Sequence, residues 1–113
     1  MWIFTTEGFL SVVADRQDPR RGRLLVRARK RKHLTTLLPK CPVFQKKPSD
    51  YPWRAWATRE QVQNLLASQV AALDYDNFKN AIPDEQYHDA CTEVWGAMWR
   101  YEQEDKPWPT RNR

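Results

Sequence analysis

Leu24-Leu-Val-Arg-Ala-Arg-Lys-Arg-Lys-His33 is the stretch whose reading decides the fold. Its apolar, β-branched start runs straight into cations, the pattern of a strand with a charged end. Successive side chains on a strand point to opposite faces. Leu24, Val26 and Ala28 therefore share one face and read as core. Leu25, Arg27 and Arg29 share the other. Two guanidinium forks on a rigid strand suit a phosphate or carboxylate partner. Lys30, Arg31 and Lys32 carry the positive field past the strand end.

The flanking segments are read outward from this strand. Trp2–Thr6 and Phe9–Ala14 are aromatic and β-branched, hence strands. Glu7-Gly8 between them predicts a tight hairpin, with a glycine bulge in one long strand as the alternative. Asp15–Gly22 is a charged loop containing Pro and Gly. Beyond the cationic run, Leu34, Leu37 and Leu38 fall at helical spacing, and Pro39 ends that short helix. Lys40–Asp50 reads as an irregular connection. Tyr51–Ala57 is a fourth strand, with Pro52 marking an edge or a strand start.

Thr58 and Gln61 form a capping box that opens a second helix. Its expected apolar stripe is Val62, Leu65, Leu66, Gln69 or Val70, and Leu73. Asp74–Asn80 is a polar turn or a short helical piece around Tyr75 and Phe78. Pro83 at the first helical position, with Asp84 and Glu85, is expected to start a last helix. Its period runs through Tyr87, Ala90, Cys91, Val94, Trp95, Met98 and Tyr101 or Glu102. The order β-β-β-α-β-α-α predicts an α+β fold: a small antiparallel sheet with helices packed on one face. Residues 1–104 form one expected domain, and 105–113, with Pro107, Trp108 and Pro109, an extended or disordered tail.

The net charge of +5 over 113 residues hides a segregation. Residues 1–47 hold twelve Lys/Arg against three Asp/Glu, or +9, while residues 48–113 hold seven against eleven, or −4. A segregated charge gives a directed field, so a basic partner surface belongs to the first half. The hydrophobic share of 41% favours a folded chain over a disordered one. Most of the six tryptophans are expected in the core, with one or two left at a stacking site or a homodimer interface. Met1–Gly8 does not read as a secretory leader, and no apolar run reaches the ~18 residues of a membrane span. A cytoplasmic protein with reduced Cys41 and Cys91 is the expectation.

Thr5-Thr6-x-Gly8-Phe9, Val26-Arg-Ala-Arg29, Asp50-Tyr-Pro-Trp-Arg-Ala55, Asp74-Tyr-Asp-Asn-Phe-Lys79 and Val94-Trp-Gly-Ala-Met98 together cover most of residues 1–102. This set resembles a widespread family of small, uncharacterised bacterial and bacteriophage proteins. The resemblance implies a phage or mobile-element setting and no particular activity. It singles out Arg27, Arg29, Tyr51, Arg54, Tyr75, Asn77 and Lys79. The loop 15–23 and the tail are particular to this chain.

Arg54 alternates with Trp53 and Ala55, so it shares a strand face with Trp56. If the third and fourth strands are neighbours, three guanidiniums line one sheet face beside Tyr51 or Trp56. Forked cations with flat rings hold nucleotides and single strands. The competing reading pairs these arginines with acids of the second half, such as Asp84, Asp89 and Glu93. Asn77 and Lys79 either add to an anion pocket or belong to a capping turn anchored by Phe78.

Catalytic signatures are missing: the chain has no serine elbow, Walker loop or dinucleotide fingerprint. Asp84, His88 and Cys91 have metal-ligand spacing, but Cys91 also fits the core stripe; no metal and no cofactor are expected. Asp74 and Asp76 read as solvating groups of the turn. The expected function is non-enzymatic binding of a phosphate-bearing ligand, a nucleotide signal or a nucleic acid, in phage counter-defence. The alternative is a protein–protein inhibitor or adaptor with its basic edge against an acidic partner.

Overall fold

The structure, a computed structural model, describes residues 1–103. The chain divides into two compact units, Met1–Asp76 and Asn77–Arg113. The tail read from Asp105 lies outside the described residues.

The first unit carries one antiparallel sheet of five strands: β1 (Trp2–Thr5), β2 (Gly8–Val13), β3 (Arg23–Ala28), β4 (Val43–Gln45) and β5 (Trp53–Thr58), in the order β1-β2-β3-β5-β4. The α+β class and the antiparallel sheet are as the sequence predicts. The hairpin is present, with Phe4 opposite Phe9 and Thr5 opposite Gly8. Its turn is Thr6-Glu7, and Gly8 already belongs to β2. The glycine is needed there for room. A Cβ on Gly8 would lie 2.6 Å from Cγ of His33, inside any real contact. Gly22, at φ +92°, is the position where the loop before β3 uses glycine's conformational freedom.

One short element departs from the expected order. Lys40–Asp50 is not wholly irregular, because Val43–Gln45 pairs with β5 as a fifth, edge strand. Three residues between Pro42 and Lys46 are too few to show a period, and the lysines that follow suit an exposed sheet edge. Pro52 therefore precedes an interior strand, a start rather than an edge.

Helix α1 (Arg31–Leu37) and helix α2 (Arg59–Ala71) pack on one sheet face. The core between them and the sheet is Ile3, Leu10, Val12, Leu24, Val26, Ala28, Leu34, Leu37, Leu38, Cys41, Ala55, Ala57, Val62 and Leu65. Ala28, Ala55 and Ala57 let the helices approach closely, which leaves no space for indoles. Register also puts Trp2 and Trp56 on the face away from the helices and only Trp53 on the core side, so the core that the sequence reading filled with tryptophans has none. None of the five described tryptophans is fully buried. Trp2, Trp95 and Trp99 are 68%, 55% and 51% exposed, and Trp53 only packs against the core's rim. The stripe of α2 likewise stops at Leu66. Val70 and Leu73 stand exposed, because α2 packs mainly on β5 and its last turns run past the cluster.

The predicted capping box is present. Thr58 Oγ1 accepts from Gln61 N at 3.0 Å, and Gln61 Oε1 accepts from Thr58 N at 2.8 Å. Thr58→Ala should cost about 1 kcal/mol in a urea denaturation series, and an unchanged midpoint would show that the cap contributes nothing.

In the second unit, a 3-10 turn at Lys79–Ala81 precedes α3 (Glu85–Gln103). Pro83 is not the first helical residue. Asp84 stands before the helix, its Oδ1 accepting from Tyr87 N at 3.0 Å. The predicted period of α3 is only half used. Tyr87 and Cys91 are buried, whereas Val94, Trp95, Met98, Trp99 and Tyr101 are exposed. Spacing tells which face of a helix is apolar, not whether anything lies against it.

Burial raises the pKa of both Cys41 and Cys91. Both thiols should react slowly with Ellman's reagent near pH 8 in the native protein and rapidly after unfolding. Fast native labelling would contradict this burial. Among the described residues, no helix is long and apolar enough to cross a membrane, and no three His, Cys, Asp or Glu side chains are grouped to hold a metal.

Candidate anion site on the far face of the sheet

Strand register decides what the face opposite α1 and α2 carries. Trp2 is directly opposite Ser11, Ser11 opposite Arg27, Arg27 opposite Arg54, and Arg54 opposite Phe44. Directly opposed residues share a face. One row therefore crosses all five strands as Trp, Ser, Arg, Arg, Phe. Like charges directly opposite each other on a sheet disfavour pairing. No carboxylate of residues 1–76 lies within ion-pair distance of Arg27 or Arg54 to offset this. Arg23, by contrast, has its own acid. It forms a bidentate pair with Asp18 at 2.7 and 2.8 Å, and the hydrogen bond from Arg23 holds the Asp18 carboxyl below its usual range.

Tyr51 organises the cationic centre. The guanidinium carbons of Arg27 and Arg29 each lie 4.6 Å from the Tyr51 ring centroid. Arg29 Nη1 donates to Asp50 O at 2.9 Å. Arg54 Nε donates to Tyr51 O at 3.1 Å, and its Nη2 to Ser49 Oγ at 2.9 Å. The turn Ser49–Tyr51, closed by Tyr51 N donating to Ser49 Oγ, thus draws Arg27 of β3, Arg29 just past its end and Arg54 of β5 into one cluster. Every bond the three make is to a neutral oxygen, so their charge is left uncompensated by any of these partners. Arg27 Nη2 donates to Ser11 Oγ at 2.8 Å. Arg27 Nε is buried and has no partner. A buried donor without an acceptor is costly.

The two rings considered for stacking have other work. Tyr51 is only 5% exposed and already carries two guanidiniums, so it is a support for the arginines. Trp56 carries Arg23, whose Cζ lies 3.8 Å from the ring centroid. Asn77 and Lys79 lie in the second unit. Asn77 Oδ1 accepts from Asn80 N at 3.0 Å, a capping turn, and Lys79 Nζ sits 4.2 Å from the Trp95 ring centroid. Lys30, Arg31 and Lys32 open α1 as exposed cations at its positive end, where charge of that sign does not favour the helix.

Three contributors escaped the sequence reading. Ser49 is an ordinary turn residue until Arg54 reaches it. Ser11 is one polar residue in an apolar strand, a signal that was present. Phe44 was hidden in the strand that was missed. No family model, curated protein or solved structure matches this chain.

Proposed function

We propose that this protein binds a phosphate-bearing ligand, a nucleotide or a nucleic acid, on the far face of its sheet and performs no chemistry on it. The observation that carries this reading is the directly opposed pair Arg27 and Arg54, without a carboxylate partner. The repulsion within such a pair opposes folding in the free protein, and an anion held by both forks offsets it. Arg29 and the exposed Lys30, Arg31 and Lys32 add field. Sequestering a nucleotide signal or masking a nucleic acid in phage counter-defence is the setting this reading suggests.

A thermal-shift screen of mono-, di- and cyclic nucleotides and short oligonucleotides tests it. At a hundredfold excess over Kd, a bound ligand should stabilise the wild type by about 2.7 kcal/mol, on the order of ten degrees in Tm. Arg27→Ala and Arg54→Ala should remove the shift. A flat response to every compound would overturn the reading, and recovery of a stable complex with an acidic protein would then favour the inhibitor or adaptor role.

A further inference from the structure

We infer that the ligand is a single-stranded nucleic acid laid across the strands, along the row from Trp2 to Phe44. This rests on the phosphate-binding reading and narrows it. The row orders its groups by position. Trp2 stands at one end, 68% exposed, and Phe44 at the other, 40% exposed. Ser11, Arg27 and Arg54 lie between them. Four steps between neighbouring strands of ~4.8 Å each separate the two rings by roughly 19 Å. A single nucleotide cannot reach both rings, whereas an extended strand a few nucleotides long spans them and passes Arg27 and Arg54; Ser11, 1% exposed, is out of its reach and serves as the acceptor that holds Arg27. The phosphates of the oligonucleotide then meet the guanidiniums, and its bases meet the rings.

The rings also argue against a duplex. Stacking on a protein side chain requires a base whose face is free, which only an unpaired strand supplies. Near the Trp2 end, the Phe9 ring lies 5.9 Å from Trp2, edge to face, and stacks with Phe4 at 4.5 Å. Phe9 is also 6.3 Å from Tyr51. Rings therefore lead continuously from the exposed indole to the arginine cluster. None of these contacts selects one base, so the expected binding is tolerant of sequence.

The experiment is fluorescence anisotropy with a labelled oligothymidylate or oligouridylate of about 15 nucleotides. Competitors are the same strand unlabelled, its duplex form, and free mononucleotide. Trp2→Leu and Phe44→Leu keep apolar bulk at exposed positions and remove the flat face. Each should weaken the oligonucleotide about tenfold. Melting curves confirm that both variants fold. The DNA and RNA probes show whether the sugar matters, and binding of either supports the inference. Duplex competing as well as the single strand, or wild-type affinity in both leucine variants, overturns the inference. If free mononucleotide still binds in that case, the phosphate-binding reading survives. If no phosphate compound binds at all, both fall together.

Discussion

Replacing Arg27 and Arg54 together with alanine should weaken binding of an oligothymidylate by roughly 10² to 10⁴-fold. A hydrogen bond to a charged group contributes about 1.5–3 kcal/mol, and two such groups together account for that range at about 1.4 kcal/mol per factor of ten. A second readout separates lost charge from a damaged fold. The slope of log K against log salt is about −0.7 per phosphate neutralised on a single strand, so the double variant should lose roughly 1.4 from it.

Stability should move far less than affinity. The variant gives up donors to Ser11 Oγ, Tyr51 O and Ser49 Oγ, typically about 1 kcal/mol each. Against this it removes a like-charged cross-strand pair, about 0.2–1 kcal/mol, and a buried unmet N–H. A net loss near 2 kcal/mol or less leaves the protein folded at the temperature of measurement. Unchanged affinity and slope, with a large loss of stability, would make the arginines scaffold and remove the proposed function.

Four of the five strands were legible because they announce themselves by composition and alternation. Leu24, Val26 and Ala28 alternate with Leu25 and Arg27, and that pattern has one folded solution when one face is buried. The arginine cluster was half legible for the same reason. Alternation puts Arg27 and Arg54 on defined faces, and neighbouring strands bring them opposite. What alternation does not contain is the loop. Ser49–Tyr51 folds back over the sheet, and only that return makes Tyr51 a buried platform. Burial of aromatic residues was misjudged because an indole's tendency to be buried is an average over proteins. Here the strand register turns Trp2 and Trp56 to the face away from the helices. The apolar half of α3 shows the same limit, since Val94, Trp95 and Met98 keep their period and remain exposed.

Gly8→Ala should destabilise the protein by about 2–3 kcal/mol, read as a lower urea midpoint at unchanged slope. The added methyl would lie 2.6 Å from His33 Cγ and 2.8 Å from its Cβ and Cδ2. These atoms are at the root of the side chain, so a small ring movement does not clear them. Crowding of this kind costs typically 1–3 kcal/mol. If the imidazole swings away, Phe9 N loses its acceptor, His33 Nδ1 at 3.2 Å, and an unmet buried donor costs about 1–3 kcal/mol more. Alanine recovers about 0.5–1 kcal/mol because it is less free than glycine in the unfolded chain.

The cause can be isolated with a double-mutant cycle. In a His33→Ala background, the same Gly8→Ala change should be near neutral. An equal cost in both backgrounds would place the strain elsewhere. The contact matters beyond stability, because His33 lies on α1, which follows β3 after only Arg29 and Lys30. The imidazole over Gly8 therefore fixes the hairpin that carries Trp2 and Ser11 to the helix that continues from Arg27. A shift there misaligns the two halves of the row. Gly8→Ala should accordingly weaken oligonucleotide binding even under conditions where the variant is fully folded, while His33→Ala with Gly8→Ala should restore little, since the lost anchor is the same.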